Sequence, residues 1–222
     1  MLFIIRFFVN SFGLVMGKLI FIIFLLISSV NSQIALPTFH GVHKPQPHTA
    51  NGQLNYEVHT STSPTYYADT YSELISKQGT LETSGTTSDS EIGGPSTSDY
   101  GLINFTHQSH LESVVGDVSN DDFSVSVSGY FIPQETGTYT FTCEGDDGVF
   151  FLLNGSVVAS HPGGHGTQSI GNHTGTESLT AGTKYTLNAY MQERGGGIGL
   201  RIFWKTPSNS SWTIHASEIS SE

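Results

Sequence analysis

The sequence carries little charge, and very little of that charge is positive. Its 222 residues include 8 lysines and arginines against 19 aspartates and glutamates, for a formal net charge of −11, and only 12% of the residues are charged. Proteins that bind nucleic acids use clustered lysine and arginine to neutralise phosphates, and no basic run occurs in the chain. This composition argues against a nucleic-acid partner.

Cysteine, long apolar segments and catalytic motifs are also rare or missing. Cys143 is the single cysteine, so no disulfide can form within the chain. Its place on the apolar face of a predicted strand favours a buried, inert thiol. After Ser32 no apolar run approaches the roughly 20 residues of a transmembrane helix. No nucleophile elbow, phosphate-binding loop or HExxH motif is present, and we predict that the protein is not an enzyme.

Residues 1–32 have the pattern of a secretory signal peptide. A lysine precedes the apolar core at 19–27, and the small and polar residues at 28–32 suit a cleavage site. We therefore predict a secreted protein, with translation starting at Met16. The alternative is an uncleaved anchor that combines this segment with the apolar patch at 1–15.

Four Asn-x-Ser/Thr sequons predict N-glycosylation of a secreted protein. Their asparagines are Asn104, Asn154, Asn172 and Asn209. After the leader we predict a linker over residues 33–50 and one globular domain over residues 51–220.

Alternation of apolar and polar residues predicts an all-β domain. Tyr139, Phe141 and Cys143 fall on one face of a half-buried strand, and Asn154-Gly155 marks a hairpin. Strands are predicted at 54–58, 100–105, 123–132, 139–143, 149–153, 157–160, 185–191, 200–204 and 212–215. Many short strands separated by frequent turn signals indicate an antiparallel β-sandwich or a barrel, with a short or irregular N-terminal extension.

Two further segments have other predicted structures. Residues 69–77 predict a short helix with Asp69 as its N-cap. Residues 79–99 are rich in threonine, serine and glycine, and predict a loop or a poor edge strand.

A glycine-rich segment over residues 161–176 contains His161, His165 and His173. Imidazoles are zinc ligands, but this spacing matches no structural zinc pattern and no cysteine accompanies it. We interpret the segment as a solvated, flexible loop.

Asp146 and Asp147 follow directly on the strand that ends near Cys143. Adjacent side chains on an extended chain point to opposite faces, so the two carboxylates converge only where the backbone kinks, for example through a cis peptide. Calcium favours such a pair, because it takes six to eight oxygen ligands and cancels the repulsion between carboxylates. The alternative is a polar turn, since Asp-Gly is a common connector between strands.

Several segments, in the right order, resemble the PA-14 domain, the fourteen-kilodalton module of protective antigen. They lie at 122–125, 129–133, 135–141, 146–148, 153–155, 179–185 and 199–204, and the resemblance covers residues 100–206. That family is a β-sandwich found in bacterial toxins, glycosidases, yeast adhesins and amoebal extracellular proteins. The resemblance implies a β-sandwich for this chain.

The resemblance also implies a set of calcium ligands. In the lectin members of the family, two consecutive aspartates joined by a cis peptide bind calcium, and the ion holds adjacent sugar hydroxyls. Asp146 and Asp147 take these positions here. A second loop of the adhesins adds an asparagine and nearby backbone carbonyls. Counting from the matching segment, these fall on Glu193, in place of the asparagine, and on Gly195 and Gly197.

Two neighbouring residues complete the implied site. A shift of one position in the count would make Gln192 a ligand in place of Glu193. Arg194 is expected to donate hydrogen bonds to the sugar, and the alternative is a solvated loop charge. The resemblance thus implies a calcium-dependent lectin or adhesin that binds glycans of a cell surface or extracellular matrix. The alternatives are a metal-independent structural or protein-interaction module and a non-catalytic part of a longer enzyme system.

Two other features have simpler interpretations. The family has no metal ligand at the Asp121-Asp122 pair, so we interpret that pair as a turn that enters a strand. Trp204 alternates with predicted core residues and is expected to be buried, whereas Trp212 is assigned neither to the core nor to a sugar site.

Overall fold

The computed structural model describes residues 48–62, 66–88, 103–105, 121–213 and 216–222. The predicted signal peptide, and all but the last three residues of the predicted linker, lie outside the described residues. No helix in the described part of the chain is long and apolar enough to cross a membrane.

The described residues form short strands and one helix. The strands are β1 (Gln53–Ser61), β2 (Gln78–Ser88), β3 (Ile103–Phe105), β4 (Phe123–Phe131), β5 (Gly137–Asp146), β6 (Val149–Leu153), β7 (Ser156–His161), β8 (Thr174–Leu179), β9 (Tyr185–Glu193), β10 (Gly199–Lys205) and β11 (Ile219–Ser220). The helix is α1 (Tyr71–Lys77).

The strands make two antiparallel sheets. In the first sheet the order is β2-β1-β4-β9-β6-β7, with β11 paired to β4, and in the second it is β3-β10-β5-β8. One buried cluster takes side chains from both sheets. The predicted all-β antiparallel sandwich is therefore confirmed.

The core follows the alternation of the sequence. On β5 the side chains of Tyr139, Phe141 and Cys143 are buried, and Trp204 of β10 joins them. The ring of Phe131 from the other sheet makes edge-on contacts with Tyr139, Phe141 and Trp204, at 5.5, 5.4 and 5.2 Å between centroids. The predicted burial of Cys143 and Trp204 is therefore confirmed, and burial raises the pKa of the Cys143 thiol, which disfavours the reactive thiolate.

The N-cap of the helix lies one residue after the predicted N-cap. Thr70, rather than Asp69, is the N-cap of α1, and its hydroxyl accepts a hydrogen bond from the backbone N–H of Glu73. The Glu73 carboxylate accepts in turn from the Thr70 backbone N–H at 3.1 Å. This reciprocal capping box satisfies two backbone donors, and Asp69 offers no equivalent pair.

Of the two alternatives for residues 79–99, a loop or a poor edge strand, the structure shows the edge strand β2 through Ser88, and residues 89–99 lie outside the described residues. Two other strand predictions need correction. The expected loop at 161–176 gives way to β8 at Thr174. Where a strand at 212–215 was expected, Thr213 makes only an isolated bridge to Trp204, and 214–215 are not described. Of the predicted strand at 100–105, only β3 is described.

Candidate functional site

The chain passes from one sheet to the other at Asp147 and Gly148. Asp146 is the last residue of β5 in the second sheet, and β6 in the first sheet starts at Val149. The Asp147 backbone N–H donates to the Gln192 carbonyl at 2.9 Å, and the Gln192 N–H donates to the Gly148 carbonyl at 2.9 Å. This paired exchange holds the crossing point against the end of β9.

Three carboxylates meet at this crossing point. Asp146, Asp147 and Glu193 each offer one oxygen, and these oxygens all lie within 4.8 Å of one another. The Asp146–Asp147 peptide bond is cis. The two oxygens of Asp147 accept backbone hydrogen bonds from His165, at 2.9 Å, and from Arg194, at 3.1 Å. We call Asp146, Asp147 and Glu193 the carboxylate cluster.

Glu193 is fully buried and only partly satisfied. Its Oε1 atom accepts a hydrogen bond from the Gly195 backbone N–H, whereas its buried Oε2 atom has no hydrogen-bond partner among the described residues. The buried carboxylate of Glu218 differs, because Tyr139 and Gln134 donate to one of its oxygens and Trp204 to the other. Glu193 therefore presents a buried oxygen to which the described part of the protein supplies no donor.

The pKa values of all three carboxyl groups are raised. Burial raises the pKa of Glu193 to about 8, with Asp147 and then Asp146 adding to the effect. Burial also raises the pKa of Asp146, and the charge of Asp147 raises it further. For Asp147 burial again raises the pKa, although the N–H groups of His165 and Arg194 oppose this. A bound cation would relieve all three effects, because it favours the ionised carboxylates.

The donor set fits calcium. All three groups are carboxylates, the hard oxygen ligands that calcium prefers, and one of them has a buried oxygen without a donor among the described residues. The β9–β10 turn also closes tightly on the cluster: a Cβ on Gly197 would lie 2.5 Å from Oδ2 of Asp146. Gly195 and Gly196 in this turn have φ values of +155° and +108°, which glycine adopts without strain. The turn that carries the predicted carbonyl ligands Gly195 and Gly197 therefore borders the carboxylates.

Gln192, the substitute ligand, lies away from the cluster. Its amide oxygen accepts from the Ala68 backbone N–H at 2.8 Å, and its amide nitrogen donates to the Tyr66 carbonyl. The alternation of side chains along β9 explains this, because neighbours on a strand point to opposite faces. Gln192 instead ties the segment that precedes α1 to the end of β9.

Sequence reasoning missed Tyr67, which lies in that tied segment. Its ring is 37% exposed, and the guanidinium carbon of Arg194 lies 4.6 Å from the ring centroid. A Cβ on Gly164 would meet the same ring within 2.7 Å. An aromatic face and a cation thus lie beside the carboxylate cluster. Only the fold brings Tyr67 there, since it is far from the cluster in sequence.

The histidines form a second polar group, and the interpretation of a solvated, flexible loop is wrong for them. Nδ1 of His173 lies 2.8 Å from Oε2 of Glu144, and Nδ1 of His161 lies 3.7 Å from the same oxygen. Glu144 is fully buried. The His161 ring stacks between those of His165 and His173, with centroids at 3.2 and 3.7 Å. We call Glu144, His161 and His173 the histidine cluster.

The remaining predicted residues are spread over the surface. Asn154 lies in the exposed β6–β7 turn, with φ of +48° and its side-chain oxygen bonded to the Thr186 N–H. Asn172 is also exposed, whereas Asn209 is half-buried. Asn104 lies in β3 opposite Arg201, and its side chain is outside the described residues. All four remain predicted glycosylation sites.

Asp121 and Asp122 precede β4, and Asp122 has φ of +62°, which fits the predicted turn at the strand entry. The fold adds that Asp121 lies against the β9–β10 turn, because a Cβ on Gly195 would lie 3.1 Å from its Oδ1. Trp212 is half-buried beneath the ammonium of Lys205, which is 4.2 Å from the ring centroid.

The chain is a β-sandwich module with paired aspartates where it crosses between the two sheets. Residues 103–218 match the PA14 domain family. This match spans more than half of the chain, which therefore belongs to the PA14 domain family. No curated protein matches the chain in sequence.

Solved structures share the fold at low identity. The epithelial adhesin 6 A domain from Candida glabrata, in complex with Galb1-3GlcNAc, is 19% identical with a TM-score of 0.54, and the alignment covers 79% of this chain and 90% of the adhesin domain. The PA14 sugar-binding domain from an RTX adhesin is 19% identical with a TM-score of 0.52, covering 76% and 98%. The PA14 domain of the MpAFP antifreeze protein is 16% identical with a TM-score of 0.52, covering 79% and 94%.

Proposed function

We propose that the protein is a secreted, calcium-dependent carbohydrate-binding module of the lectin or adhesin type, without enzymatic activity. The observation that carries this proposal is the buried Oε2 atom of Glu193, which has no donor among the described residues and lies beside two converging aspartates. Three acidic groups held this close favour a divalent cation over three separate protons. The related adhesin domains lend support, since two of them are described as binding sugar.

Asp146, Asp147 and Glu193 would hold the calcium ion, with carbonyls of Gly195 and Gly197 as further ligands. When bound, calcium supplies coordination positions for two adjacent sugar hydroxyls, because hydroxyl oxygens are suitable ligands. By the count from the matching segment, Glu193 falls on the position of the adhesins' asparagine, and this chain would then offer one more negative charge. More ligand charge strengthens calcium binding, and we expect a tighter calcium site than the aspartate pair alone would give.

Other residues beside the cluster would orient the sugar. Tyr67 is 37% exposed and would contact the sugar with the part of its side chain that Arg194 and Gly164 leave uncovered. Arg194 has a guanidinium in reach of the Tyr67 ring and would donate hydrogen bonds to hydroxyls. Because hydroxyls already bond well to water, the affinity for a single sugar is expected to be modest.

Secretion and the partners complete the proposal. The leader at residues 1–32 would direct the chain to the secretory pathway, and the exposed Asn154 and Asn172 would be available for glycosylation. The partners would then be glycans of a cell surface or an extracellular matrix.

The test combines calorimetry with a glycan array. We expect the purified protein to bind calcium in a calorimetric titration, and to bind glycans on the array with calcium but not with a chelator. Asp146→Ala should lose both activities. Asp122→Asn is the matched control, since it removes a carboxylate from the other aspartate pair and should keep both. The absence of calcium uptake, or glycan binding that persists in Asp146→Ala with chelator, would overturn the proposal.

A further inference from the structure

The histidine cluster lies on the face of β5 opposite the core, beside the carboxylate cluster, and the two clusters share β5 but no residue. Glu144 points to the face opposite the core residue Cys143, as alternation along the strand requires. His161 ends β7, and His173 immediately precedes β8. The loop over residues 162–172 connects the two histidines. The cluster therefore joins three strands and both ends of this loop.

His173 is firmly held in place by β5. Its backbone N–H donates to Oε1 of Glu144 at 3.0 Å. Its carbonyl accepts from the Cys143 N–H at 3.2 Å and from the Thr142 hydroxyl at 3.0 Å. Its ring nitrogen then lies 2.8 Å from the second oxygen of Glu144. Hydrogen bonds within the protein thus fix the His173 ring in position beside Glu144.

The ring of His161, in contrast, is not held by a hydrogen bond at Nδ1 among the described residues. Its Nδ1 atom is buried and has no hydrogen-bond partner among the described residues, although it lies 3.7 Å from Oε2 of Glu144. The exposed fraction of the His161 side chain is only 14%. Its buried nitrogen therefore offers a lone pair that no protein group uses among the described residues, and neutral imidazole is a common metal ligand.

We propose that Glu144, His161 and His173 form a second cation site, which takes a first-row transition metal of the zinc type. The three ligand atoms lie within 4.8 Å of one another. Two imidazoles and one carboxylate are a common ligand set for zinc, with a fourth position left for water. Calcium prefers an all-oxygen set, so this cluster is expected to discriminate against it.

The site would have a structural role. Its ligands join β5 to both ends of the 162–172 loop, and that loop carries the His165 N–H that donates to Asp147. A cation here would fix the loop against β5. The proposal does not depend on the carboxylate cluster binding calcium, because none of the three ligands is shared.

The test measures zinc uptake by the full chain after removal of metals with a chelator. We expect one tight zinc equivalent in the wild-type protein. Both Glu144→Gln and His173→Ala should weaken it at least about tenfold, since loss of even an outer-shell partner of a metal costs roughly 10–100-fold. His59→Ala is the matched control: His59 is a half-buried histidine 3.8 Å from Glu57, and the described residues supply no third ligand beside this pair. That variant should retain the tight equivalent.

Two further measurements keep the test decisive if a variant folds poorly. Cobalt bound to the wild-type protein should show the visible absorption of a tetrahedral site with nitrogen ligands, and zinc should raise the melting temperature of the wild type and of Asp147→Asn alike. Equal zinc affinity in the wild type and in folded His173→Ala would overturn the proposal. A wild-type protein without a tight zinc equivalent or a cobalt spectrum would also overturn it.

Discussion

Two clusters of ionisable groups share one strand, and they differ in the chemistry of their ligands. Glu144 and Asp146 are two residues apart on β5 and therefore point to the same side of the sheet. Beyond Asp146 the chain gathers two more carboxylates, whereas around Glu144 it gathers two imidazoles. The same face of β5 thus presents an all-oxygen set of ligands at Asp146. Two residues earlier, at Glu144, it presents a mixed set of nitrogen and oxygen ligands.

Burial shifts the pKa values of the two clusters in opposite directions. In the carboxylate cluster burial raises the pKa values of the acids, so a bound cation would favour their ionised forms. In the histidine cluster burial lowers the pKa of His161, so that ring offers a lone pair at neutral pH without any change of protonation. The first set suits a hard cation and the second a softer one.

The variant with the largest expected effect tests whether calcium and zinc bind independently at the two clusters. Asp147→Asn removes one charge from the carboxylate cluster and should weaken calcium binding by about 100-fold, because ligand charge sets calcium affinity over several orders of magnitude. The zinc affinity of the same variant should stay within about twofold, because Asp147→Asn alters none of the three proposed zinc ligands. Titrations with each metal check this. A parallel loss of zinc affinity would show that the two clusters act as one site.

The next prediction concerns the pH dependence of the free energy of unfolding that follows from the raised pKa of Glu193. Without metal, the folded protein holds a proton on Glu193 up to a pKa of about 8, whereas the unfolded chain has released it well below pH 6.5. The folded state binds more protons in this interval, so stability falls as pH rises. From pH 6.5 to 8 the free energy of unfolding should drop by about 1–2 kcal/mol. The pKa of His161 shifts the other way, from 6.5 to about 4, so this group opposes the slope, but mainly below pH 6.5.

Denaturant unfolding at several pH values, with chelator and with calcium, measures this slope. Saturating calcium should remove the slope, and Glu193→Gln should remove it even with chelator present. A slope that persists in Glu193→Gln would assign the titration to another group and weaken the carboxylate side of the comparison.

A smaller effect tests the close approach of the β9–β10 turn. Gly197→Ala would place a methyl group 2.5 Å from Oδ2 of Asp146. The carboxylate or the turn must then move, and calcium affinity should fall about tenfold, as when support around a metal is lost. In the control, Gly166→Ala, the methyl group would lie 4.0 Å from the same oxygen, an ordinary contact. Calcium titration of both variants checks this, and equal affinities would exclude tight packing as a factor.

The smallest expected effect concerns the sugar. Arg194→Met keeps an unbranched apolar stem and the backbone N–H that bonds to Asp147, but removes the guanidinium that would donate to the sugar. Glycan affinity should fall about two- to fivefold, the lower end of the net contribution of one hydrogen bond, with calcium affinity unchanged. Lys205→Met removes a comparable charge over Trp212 and should leave glycan affinity unchanged. Array titrations with calcium compare the two. A larger loss in Lys205→Met would place the sugar elsewhere.

The sequence predicted the parts of the fold that depend on local pattern. The alternation around Tyr139, Phe141 and Trp204 predicts buried strands because half-buried strands require that period. The pattern fails for β8, whose side chains are polar or small up to Leu179 and whose partner β5 is distant in sequence. It also missed the Thr70 cap, where two candidate residues are adjacent and only the capping geometry decides between them.

The candidate sites divide in the same way. Asp146 and Asp147 are adjacent in a broken strand, and the family pattern pointed to Glu193, which the fold brings beside them. The histidine cluster could not be predicted from spacing, because Glu144 meets His161 and His173 only when three strands come together. One signal was present: Glu144 is a charged residue on a strand face that otherwise carries threonines. Tyr67 had no such signal, because it reaches the site through the amide of Gln192.

The most direct measurement is a crystal structure of the wild-type protein with calcium and the glycan that binds best on the array. The account predicts an ion held by oxygens of Asp146, Asp147 and Glu193 that also contacts two adjacent hydroxyls of the sugar. A glycan bound away from these carboxylates, or bound there with no cation between protein and sugar, would contradict it.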